Sequence, residues 1–465
     1  IRWTGLPERS AGAGTAGAEE GEEFTALAEQ GDAASQHNLG FMYANGQGVT
    51  KNYETALKWF TLAAEQGSAK SQNNLGFIYA NGQGVSKNYE EALKWFTLAA
   101  KQGNPVSQHS LGFMYEKGEG ISKDYPTALY WYTLAAEQGM DKSQHNLAVL
   151  HANGQGTSVN HHLAFDWYTL AAEQGNVSSQ RALGLMYKNG QGVSQNYELA
   201  FDWFQKAASQ HDAESQHNLG FIYENGLGKT QDYRKAFEWY ILAAEQKFAP
   251  SEHGLGFMHE KGLGVPKDYV EARKWYALAA EQGDKRSQHH LGRIYEQGLK
   301  VRKDYELALH WYRQAAVQGY ALSQYAVGSM HEHGRGVEKN YGLALEWFTR
   351  AAKQGNAECQ YNLGVIYFFG RGVNRDYKTA LKWFREAATQ KVVAAQYGLA
   401  FMYQNGLGIP KDALRAYLWS SFAAEEGDLQ AKKMLMELNT SLTESQIAEA
   451  QGLVRGCALK NFEGC

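Results

Sequence analysis

The sequence is poor in cysteine and in proline, and it contains no long apolar run. There are three cysteines and six prolines in 465 residues. No stretch reaches the roughly 18 consecutive apolar residues that a membrane-spanning helix needs. Fifty glycines accompany the six prolines. This balance indicates many short turns between regular elements rather than disorder.

The sequence also lacks an excess of charge of either sign. The formal net charge is −4, and charged residues make up 20% of the chain. A protein that binds nucleic acid or an anionic membrane usually has a basic excess, so neither is an expected partner. Apolar residues make up 44% and aromatic residues 13%, which is enough for a continuous hydrophobic core.

The sequence repeats itself every 36 residues, eleven times, from about residue 32 to residue 427. Glycine-rich segments such as NGQGV (45–49) superficially resemble a phosphate-binding loop. Such a loop should follow a strand and open a helix, whereas here the preceding segment has a helical pattern. A turn between two helices is therefore the better interpretation. One tryptophan recurs in each repeat: Trp59, Trp95, Trp131, Trp167, Trp203, Trp239, Trp275, Trp311, Trp347, Trp383 and Trp419.

Each repeat is predicted to contain two helices. In the first repeat, helix A covers about 33–44 and ends near Gly46, since glycine tolerates the left-handed conformation of a helix C-terminus. Helix B follows an Asn or Asp that can cap its N-terminus, Asn52, and continues to Gln66. Alanine occupies position 56 in all eleven copies, which indicates close helix packing. We expect Trp59 to fill the volume beside these small residues.

The fold class predicted from this pattern is all-α, a right-handed superhelical α-solenoid of about eleven 36-residue repeats with terminal capping helices. Residues 1–20 are expected to be a flexible leader and 21–31 an N-terminal capping half-repeat. Residues 32–427 form the repeats, and 428–465 form C-terminal capping helices with a cysteine-containing tail. Thr443 opens a capping-box pattern with Gln446, so a last helix should run to about Val454.

The repeat resembles the Sel-1-like repeat, a relative of the tetratricopeptide repeat. In the second copy the resemblance is carried by Leu75, Gly76, Tyr79, Gly82, Gly84, Val85, Asn88, Ala92, Trp95, Phe96, Ala99, Ala100 and Gly103. The resemblance implies a non-enzymatic scaffold that binds another protein or peptide, with no cofactor. It also implies an alternative, because one cysteine-rich bacterial branch is linked to β-lactam binding or hydrolysis. The paired cysteines of that branch are missing here.

The C-terminal segment is similar to the ending of exported bacterial members of this family. That similarity implies a periplasmic or secreted protein, and a disulfide between Cys457 and Cys465 would suit such a compartment. The partner is expected to be a protein or peptide bound by a monomer without a transmembrane segment. The alternative is an envelope protein that binds or hydrolyses cell-wall glycan or β-lactam-like ligands.

Fifteen histidines raise the possibility of a metal or catalytic site. Six of them share one repeat position: His37, His109, His145, His217, His253 and His289. Equivalent residues of neighbouring repeats should lie about 10 Å apart, the usual distance between packed helices. Zinc ligands lie near 2 Å from one ion, so this row cannot form a metal site by itself. We therefore predict no metal and no catalytic residue.

Positions that vary between repeats are the better candidates for binding a partner. Helix A should direct residues 37, 38 and 41 away from its buried side. Position 41 carries an apolar row that Arg293 interrupts: Phe41, Phe77, Phe113, Phe221 and Phe257. Two interpretations stay open for these phenylalanines. They line a binding groove, or they are covered by the next repeat.

Position 44 carries a second row, which is acidic. It consists of Glu224, Glu260, Glu296 and Glu332 in four consecutive repeats. These residues could receive a cationic segment of a partner, or they could form a solvated acidic edge. Arg293 stands beside this row, and the sequence does not explain why an arginine replaces the apolar residue at position 41 there.

Overall fold

The computed structural model describes residues 25–459 and residue 462. The chain divides into two compact units, a first unit up to Asp232 and a second from Tyr233 onward. Within the described residues all regular structure is helical, and no strand is present. The predicted leader lies outside the described residues, as does the start of the capping half-repeat, of which residues 25–29 are helical.

The first unit is a series of antiparallel helix pairs, in which helix A and helix B alternate. Helix A of repeats 1 to 5 is followed by helix B of the same repeat, and the unit ends with helix A of repeat 6. The helices are α1 (Ala33–Asn45), α2 (Tyr53–Glu65), α3 (Ala69–Asn81), α4 (Tyr89–Lys101), α5 (Pro105–Lys117), α6 (Tyr125–Glu137), α7 (Asp141–Asn153), α8 (His161–Glu173), α9 (Val177–Asn189), α10 (Tyr197–Ala208) and α11 (Ala213–Asn225).

The second unit continues the same alternation and adds two helices after the last repeat. Its helices are α12 (Tyr233–Glu245), α13 (Ala249–Lys261), α14 (Tyr269–Glu281), α15 (Lys285–Gln297), α16 (Tyr305–Val317), α17 (Ala321–His333), α18 (Tyr341–Ala352), α19 (Ala357–Phe369), α20 (Tyr377–Thr389), α21 (Val393–Asn405), α22 (Ala413–Glu425), α23 (Leu429–Ser441) and α24 (Glu444–Leu459).

The helix ends follow the predicted cap chemistry. Asn52 accepts a hydrogen bond from the Thr55 backbone N–H at 3.0 Å, which satisfies one of the free donors of the first turn of α2. Gly46 ends α1 with φ of 72°, and its N–H donates to the Met42 carbonyl. The same Asn or Asp cap is confirmed at Asn88, Asp124, Asn160, Asn196, Asp268, Asp304, Asn340, Asp376 and Asp412.

In eight repeats the aromatic residue after the tryptophan, not the tryptophan itself, packs on the helix A glycine. A Cβ placed on Gly76 would lie 2.5 Å from Phe96 Cδ1. The Phe96 ring is buried, and the missing Cβ lets helices A and B approach closely. The prediction that Trp59 fills the space beside the small residues is therefore wrong. In the first repeat the next residue, Phe60, faces Gly40.

In nine repeats the second glycine of the loop lies against the preceding repeat. A Cβ placed on Gly336 would lie 2.5 Å from the carbonyl carbon of Tyr305. Repeat 8 has Lys300 at this position, with φ of 55°. The left-handed conformation is unfavourable for any residue with a Cβ. The loop of repeat 8 therefore carries backbone strain that the other ten loops avoid, and the Cβ of Lys300 stands where nine of those loops have no room for one.

Replacing Lys300 by glycine should stabilise the protein. We expect Lys300→Gly to raise the free energy of unfolding by about 1 kcal/mol, because glycine adopts positive φ at little cost. Lys391→Gly is the matched control. Lys391 also has positive φ, 65°, but the glycine at the same position of the preceding repeat, Gly355, has open space where a Cβ would lie. In urea unfolding, the increase in the free energy of unfolding should be larger for Lys300→Gly than for Lys391→Gly. Equal gains would show that crowding contributes nothing.

The second unit ends in an aromatic cluster that covers the last repeat. Trp419 of α22 is buried in this cluster, and its ring lies 6.2 Å from those of Phe422 and Phe462. The predicted capping box is present, since Gln446 N–H donates to the Thr443 hydroxyl at 3.3 Å. The last helix extends to Leu459, beyond the predicted end.

The cysteine pairing stays a prediction. Cys457 is buried on α24 in the core of the last repeat, whereas Cys465 lies outside the described residues. Cys359 is buried and carries a free thiol. Among the helices of the described chain, none has the length and hydropathy needed to cross a membrane.

Candidate functional site

We use the name A face for the surface formed by positions 37, 38, 41, 44 and 45 of each helix A, numbered as in the first repeat. Position 37 of this face is a link between repeats. His109 Nδ1 lies 2.8 Å from the hydroxyl of Ser143 in the next repeat. The same bond joins His37 to Ser71, His145 to Ser179, His253 to Ser287 and His289 to Ser323.

The buried environment of these histidines keeps them neutral. Burial, together with nearby cations, lowers the pKa of His37, His109 and His289 to about 4. The prediction that His37 points away from the core is wrong, because its side chain is buried and its ring lies 5.6 Å from that of Phe60. The histidine row is thus part of the packing between repeats.

Other residues replace the histidine of this bond in five repeats, and three of these replacements are accompanied by loss of the serine. In the second repeat Asn73 replaces the histidine, and it accepts a bond from Ser107 at 2.9 Å. Where a tyrosine replaces the histidine, the serine of the next repeat is lost as well. The pairs are Tyr325 with Cys359, Tyr361 with Ala395 and Tyr397 with Ala431. No group of three potential metal ligands lies together within the described residues.

The apolar row at position 41 is not uniformly exposed. Phe41 and Phe77 are only 9% and 8% exposed, which for these two residues agrees with the second interpretation, that neighbouring structure covers them. Phe77 packs edge-on against Phe96, with ring centroids 5.0 Å apart. Phe113 is 39% exposed, and Phe221 and Phe257 are half-buried. Of the predicted binding residues in this row, Phe113 has the most accessible ring.

The acidic row at position 44 is paired with arginines of the following repeat. Glu260 is 2% exposed, and its Oε1 lies 2.5 Å from Arg293 Nη2. This ion pair explains why Arg293 interrupts the apolar row. Glu296 and Glu332 lie 3.5 Å and 3.4 Å from Arg335 and Arg371. These three glutamates do not form a free acidic surface, and Glu224 is half-buried on α11.

Glu260 is the centre of a buried polar cluster. Its Oε2 accepts a hydrogen bond from the Tyr276 hydroxyl at 3.1 Å and lies 3.0 Å from His290 Nδ1. The His290 ring stacks on Tyr276 with centroids 4.7 Å apart. Burial acts to raise the pKa of Glu260, but the bonds from His290 and Arg293 hold it well below its usual range. The carboxylate therefore stays charged.

The first unit has a cavity at the place that this cluster fills in the second unit. Positions 44 and 38 are the small Ala80 and Ser110 in repeats 2 and 3, whereas they are Glu260 and His290 in repeats 7 and 8. The cavity has a volume of about 570 Å³, a size typical of ligand pockets. Its apolar lining residues are Phe77, Ala80, Phe96, Val106, Phe113, Met114 and Met140.

The charged residues that line this cavity, which we call the A-face pocket, are Lys87, Lys142 and Glu119. Both lysines are exposed. The half-buried His109 also lines the pocket and is neutral near pH 7, as its lowered pKa indicates. The pocket therefore has apolar walls and a small excess of positive charge. It can bind an apolar side chain that is flanked by an acidic group.

Met140 in this pocket replaces a helix cap. The residue before helix A is Asp, Asn or Ser in most repeats, and Asn104 for example accepts from Ser107 N–H at 2.9 Å. Met140 makes no side-chain cap bond. Loss of such a bond costs about 1 kcal/mol, so the exchange sacrifices helix stability for an apolar side chain in the pocket.

The sequence pattern identified Phe77 and Phe113 as candidates but not Ala80, Ser110 and Met140. Met140 is an apolar residue at a capping position, but Phe248, Tyr320 and Val392 share this feature, so it did not single out the pocket. The small residues gave no signal of their own. Their effect depends on three helices of successive repeats, which meet only in the folded chain.

Comparisons with known proteins agree with the repeat pattern. A family model described as the Sel1 repeat matches eleven consecutive segments: 33–68, 69–104, 105–140, 141–176, 177–212, 213–248, 249–284, 285–320, 321–356, 357–392 and 393–428. No curated protein matches the chain.

Solved structures similar to the chain include two proteins with this type of repeat. The first is c5321, described as a protective antigen present in uropathogenic Escherichia coli strains displaying an SLR fold. It is 35% identical with a TM-score of 0.77, over 95% of this chain and 96% of that protein. A Sel1 repeat protein from Oxalobacter formigenes is 32% identical with a TM-score of 0.47, over 52% of this chain and 96% of its own.

Proposed function

Because the chain belongs to the Sel1 repeat family, we propose that it is a non-catalytic scaffold that binds a partner protein in the A-face pocket. Proteins of this family generally serve as scaffolds for protein interaction. The partner would insert one aromatic or large aliphatic side chain between Phe77 and Phe113. Acidic residues beside this side chain would lie near Lys87 and Lys142.

The observation that carries this proposal is the lining of the pocket. Apolar residues form most of its wall, and Phe113 keeps an accessible ring there. Burial of one aromatic side chain in such a pocket contributes about 1.5–3 kcal/mol. Residues of this kind at the centre of an interface usually account for most of the binding energy.

Selection of binding peptides tests the proposal while the partner is still unidentified. Random peptides displayed on phage are selected on the full chain, and one enriched peptide is labelled for fluorescence anisotropy. We expect enriched peptides to share an apolar residue next to Asp or Glu. Phe113→Ser should weaken binding by about ten-fold or more, since the apolar contact is lost.

Phe401→Ser is the matched control. Phe401 stands at the same repeat position and is 36% exposed, but it does not line the A-face pocket. This variant should bind the peptide like the wild type. Equal loss of affinity in both variants, or unchanged affinity of Phe113→Ser, would contradict the proposal. Circular dichroism of each variant checks that the helices remain folded.

We also infer that the protein works outside the cytoplasm. Support comes from the description of the similar c5321 as a protective antigen, since an antigen of this kind is accessible to antibodies. The similarity of the C-terminal segment to exported proteins agrees with this. Detection of the native protein in a periplasmic or secreted fraction of its source cells tests the inference, and recovery from the cytoplasm alone contradicts it.

A further inference from the structure

Three cations of the second unit stand at repeat positions where the other ten repeats have none. Arg273 occupies a position that is Leu, Phe or Tyr elsewhere. Lys300 replaces a glycine, and Arg302 replaces residues that are uncharged or acidic. Lys300 and Arg302 belong to one loop, between α15 and α16. These departures from the repeat therefore concentrate cations at one place.

Two of these cations line one cavity. It has a volume of about 630 Å³ and lies between α14 and the loop of repeat 8. We call it the basic notch. It is lined by Arg273, Tyr295, Val301, Arg302, Lys303, Asp304, Tyr305, Glu306 and Gly336. The notch thus combines three cationic side chains with two tyrosine rings and one aliphatic side chain.

The cations of the basic notch have no acidic partner within the described residues. Arg273 Nη1 donates to the Tyr295 hydroxyl at 3.4 Å, and its buried Nε has no acceptor. Of the two carboxylates in the lining, Asp304 already caps α16 by accepting from Leu307 N–H. Glu306 is exposed to solvent.

The arginines beside the acidic row at position 44 differ, because each of them is paired. Arg293, Arg335 and Arg371 lie within 3.5 Å of a glutamate of the preceding repeat. A buried donor without an acceptor is unfavourable, and so is a residue with a Cβ at positive φ. Arg273 and Lys300 thus both reduce stability at the same place. A bound anion would give Arg273 the acceptor that the protein does not supply.

We propose that the basic notch binds a small organic phosphate. The phosphoryl oxygens would accept hydrogen bonds from Arg273 and Arg302, since planar guanidinium groups suit this geometry. Lys303 would add a third positive charge. The organic part of the ligand would lie against Tyr295, Val301 and Tyr305. This site is separate from the A-face pocket, and neither proposal depends on the other.

Isothermal titration of the full chain with phenyl phosphate tests the proposal. We expect the wild type to bind at an ionic strength near 0.15 M, and to bind inorganic phosphate more weakly. Arg273→Leu should weaken the binding of phenyl phosphate by about ten-fold or more, because a charged hydrogen-bond donor is lost. This variant should fold, since leucine occupies the same position in six other repeats.

Arg350→Leu is the matched control, because it removes the same charge from an exposed site of α18. It should bind phenyl phosphate like the wild type. Absence of binding by the wild type, or equal affinities of wild type and Arg273→Leu, would overturn the proposal. Binding only to phosphatidylcholine vesicles that contain phosphatidic acid would also overturn it, in favour of a lipid headgroup. If Arg273→Leu does not fold, Arg302→Ser provides the same comparison, with the serine that Ser86 supplies in repeat 2.

Discussion

At pH 5 the protein should be much less stable than at pH 7.5, because buried neutral histidines must gain a proton. The pKa of His253 is lowered to about 3, and that of His37, His109 and His289 to about 4, mainly by burial. In the unfolded chain these groups titrate near 6.5. Between these values the unfolded chain binds more protons, so stability falls as the pH falls.

The size of this effect follows from the same pKa values. The stability that depends on the neutral histidines is fully present above about pH 6.5. It is lost as the pH falls towards 4, or towards 3 for His253. At pH 5, each of the four histidines should reduce the free energy of unfolding by about 2 kcal/mol. Thermal unfolding followed by circular dichroism should therefore show a lower midpoint at pH 5 than at pH 7.5.

His109→Asn isolates the contribution of one histidine. Asn73 shows that asparagine keeps the hydrogen bond to the next serine, and asparagine does not titrate. The variant should therefore lose less stability between pH 7.5 and pH 5 than the wild type does. Lys142 lowers the pKa of His109, whereas Asp141 and Glu116 raise it, and these groups remain unchanged. His162→Asn, at an exposed histidine, should leave the pH dependence unaltered. If His109→Asn responds to pH like the wild type, burial of the histidines does not cause the effect.

Arg293→Phe should destabilise the second unit by about 3 kcal/mol or more. It would remove the closest cation of the buried Glu260 carboxylate, and loss of one partner of a buried ion pair is strongly unfavourable. Tyr276 and His290 would still bind Glu260, and Lys261 Nζ lies 3.1 Å from it, but the Lys261 side chain is largely exposed and compensates the buried charge only weakly. Urea unfolding, followed by circular dichroism, gives the change in stability.

The double variant Glu260→Ala/Arg293→Phe should recover most of this loss. The first unit already contains that combination, since Ala44 is followed by Phe77 and Ala80 by Phe113 in the next repeat. Removal of both charges leaves no buried ion, and an apolar pair can replace a buried ion pair at similar stability. A double variant as unstable as Arg293→Phe would show that the Glu260 charge left by the broken ion pair does not cause the instability of Arg293→Phe.

The repeat made the helices predictable, because eleven copies of one pattern reveal the buried, capping and turn positions together. Asn52 and Gly46 were identified in this way, and both have the predicted role. The contacts between repeats were not predictable to the same degree. Arg293 has no explanation within its own helix, because its partner Glu260 belongs to the preceding repeat.

Exposure of a repeated residue also depends on its neighbours. Phe77 and Phe113 occupy the same position, but Phe77 packs on Phe96 while Phe113 remains accessible beside the A-face pocket. A pattern read within one repeat assigns both phenylalanines to the same surface. The pocket itself results from Ala80 and Ser110, whose small size is visible in the sequence but whose proximity is not.

Ala80→Phe is the decisive variant for binding of a partner's apolar side chain in the A-face pocket. Repeat 10 has Phe368 at this position, with its ring 6.2 Å from Phe401, so the repeat accommodates a phenylalanine there. The new ring should fill the pocket and leave the helices intact. With the phage-selected peptide, we expect wild-type thermal stability together with a loss of affinity of about ten-fold or more. Unchanged affinity in a folded Ala80→Phe variant would contradict binding in this pocket.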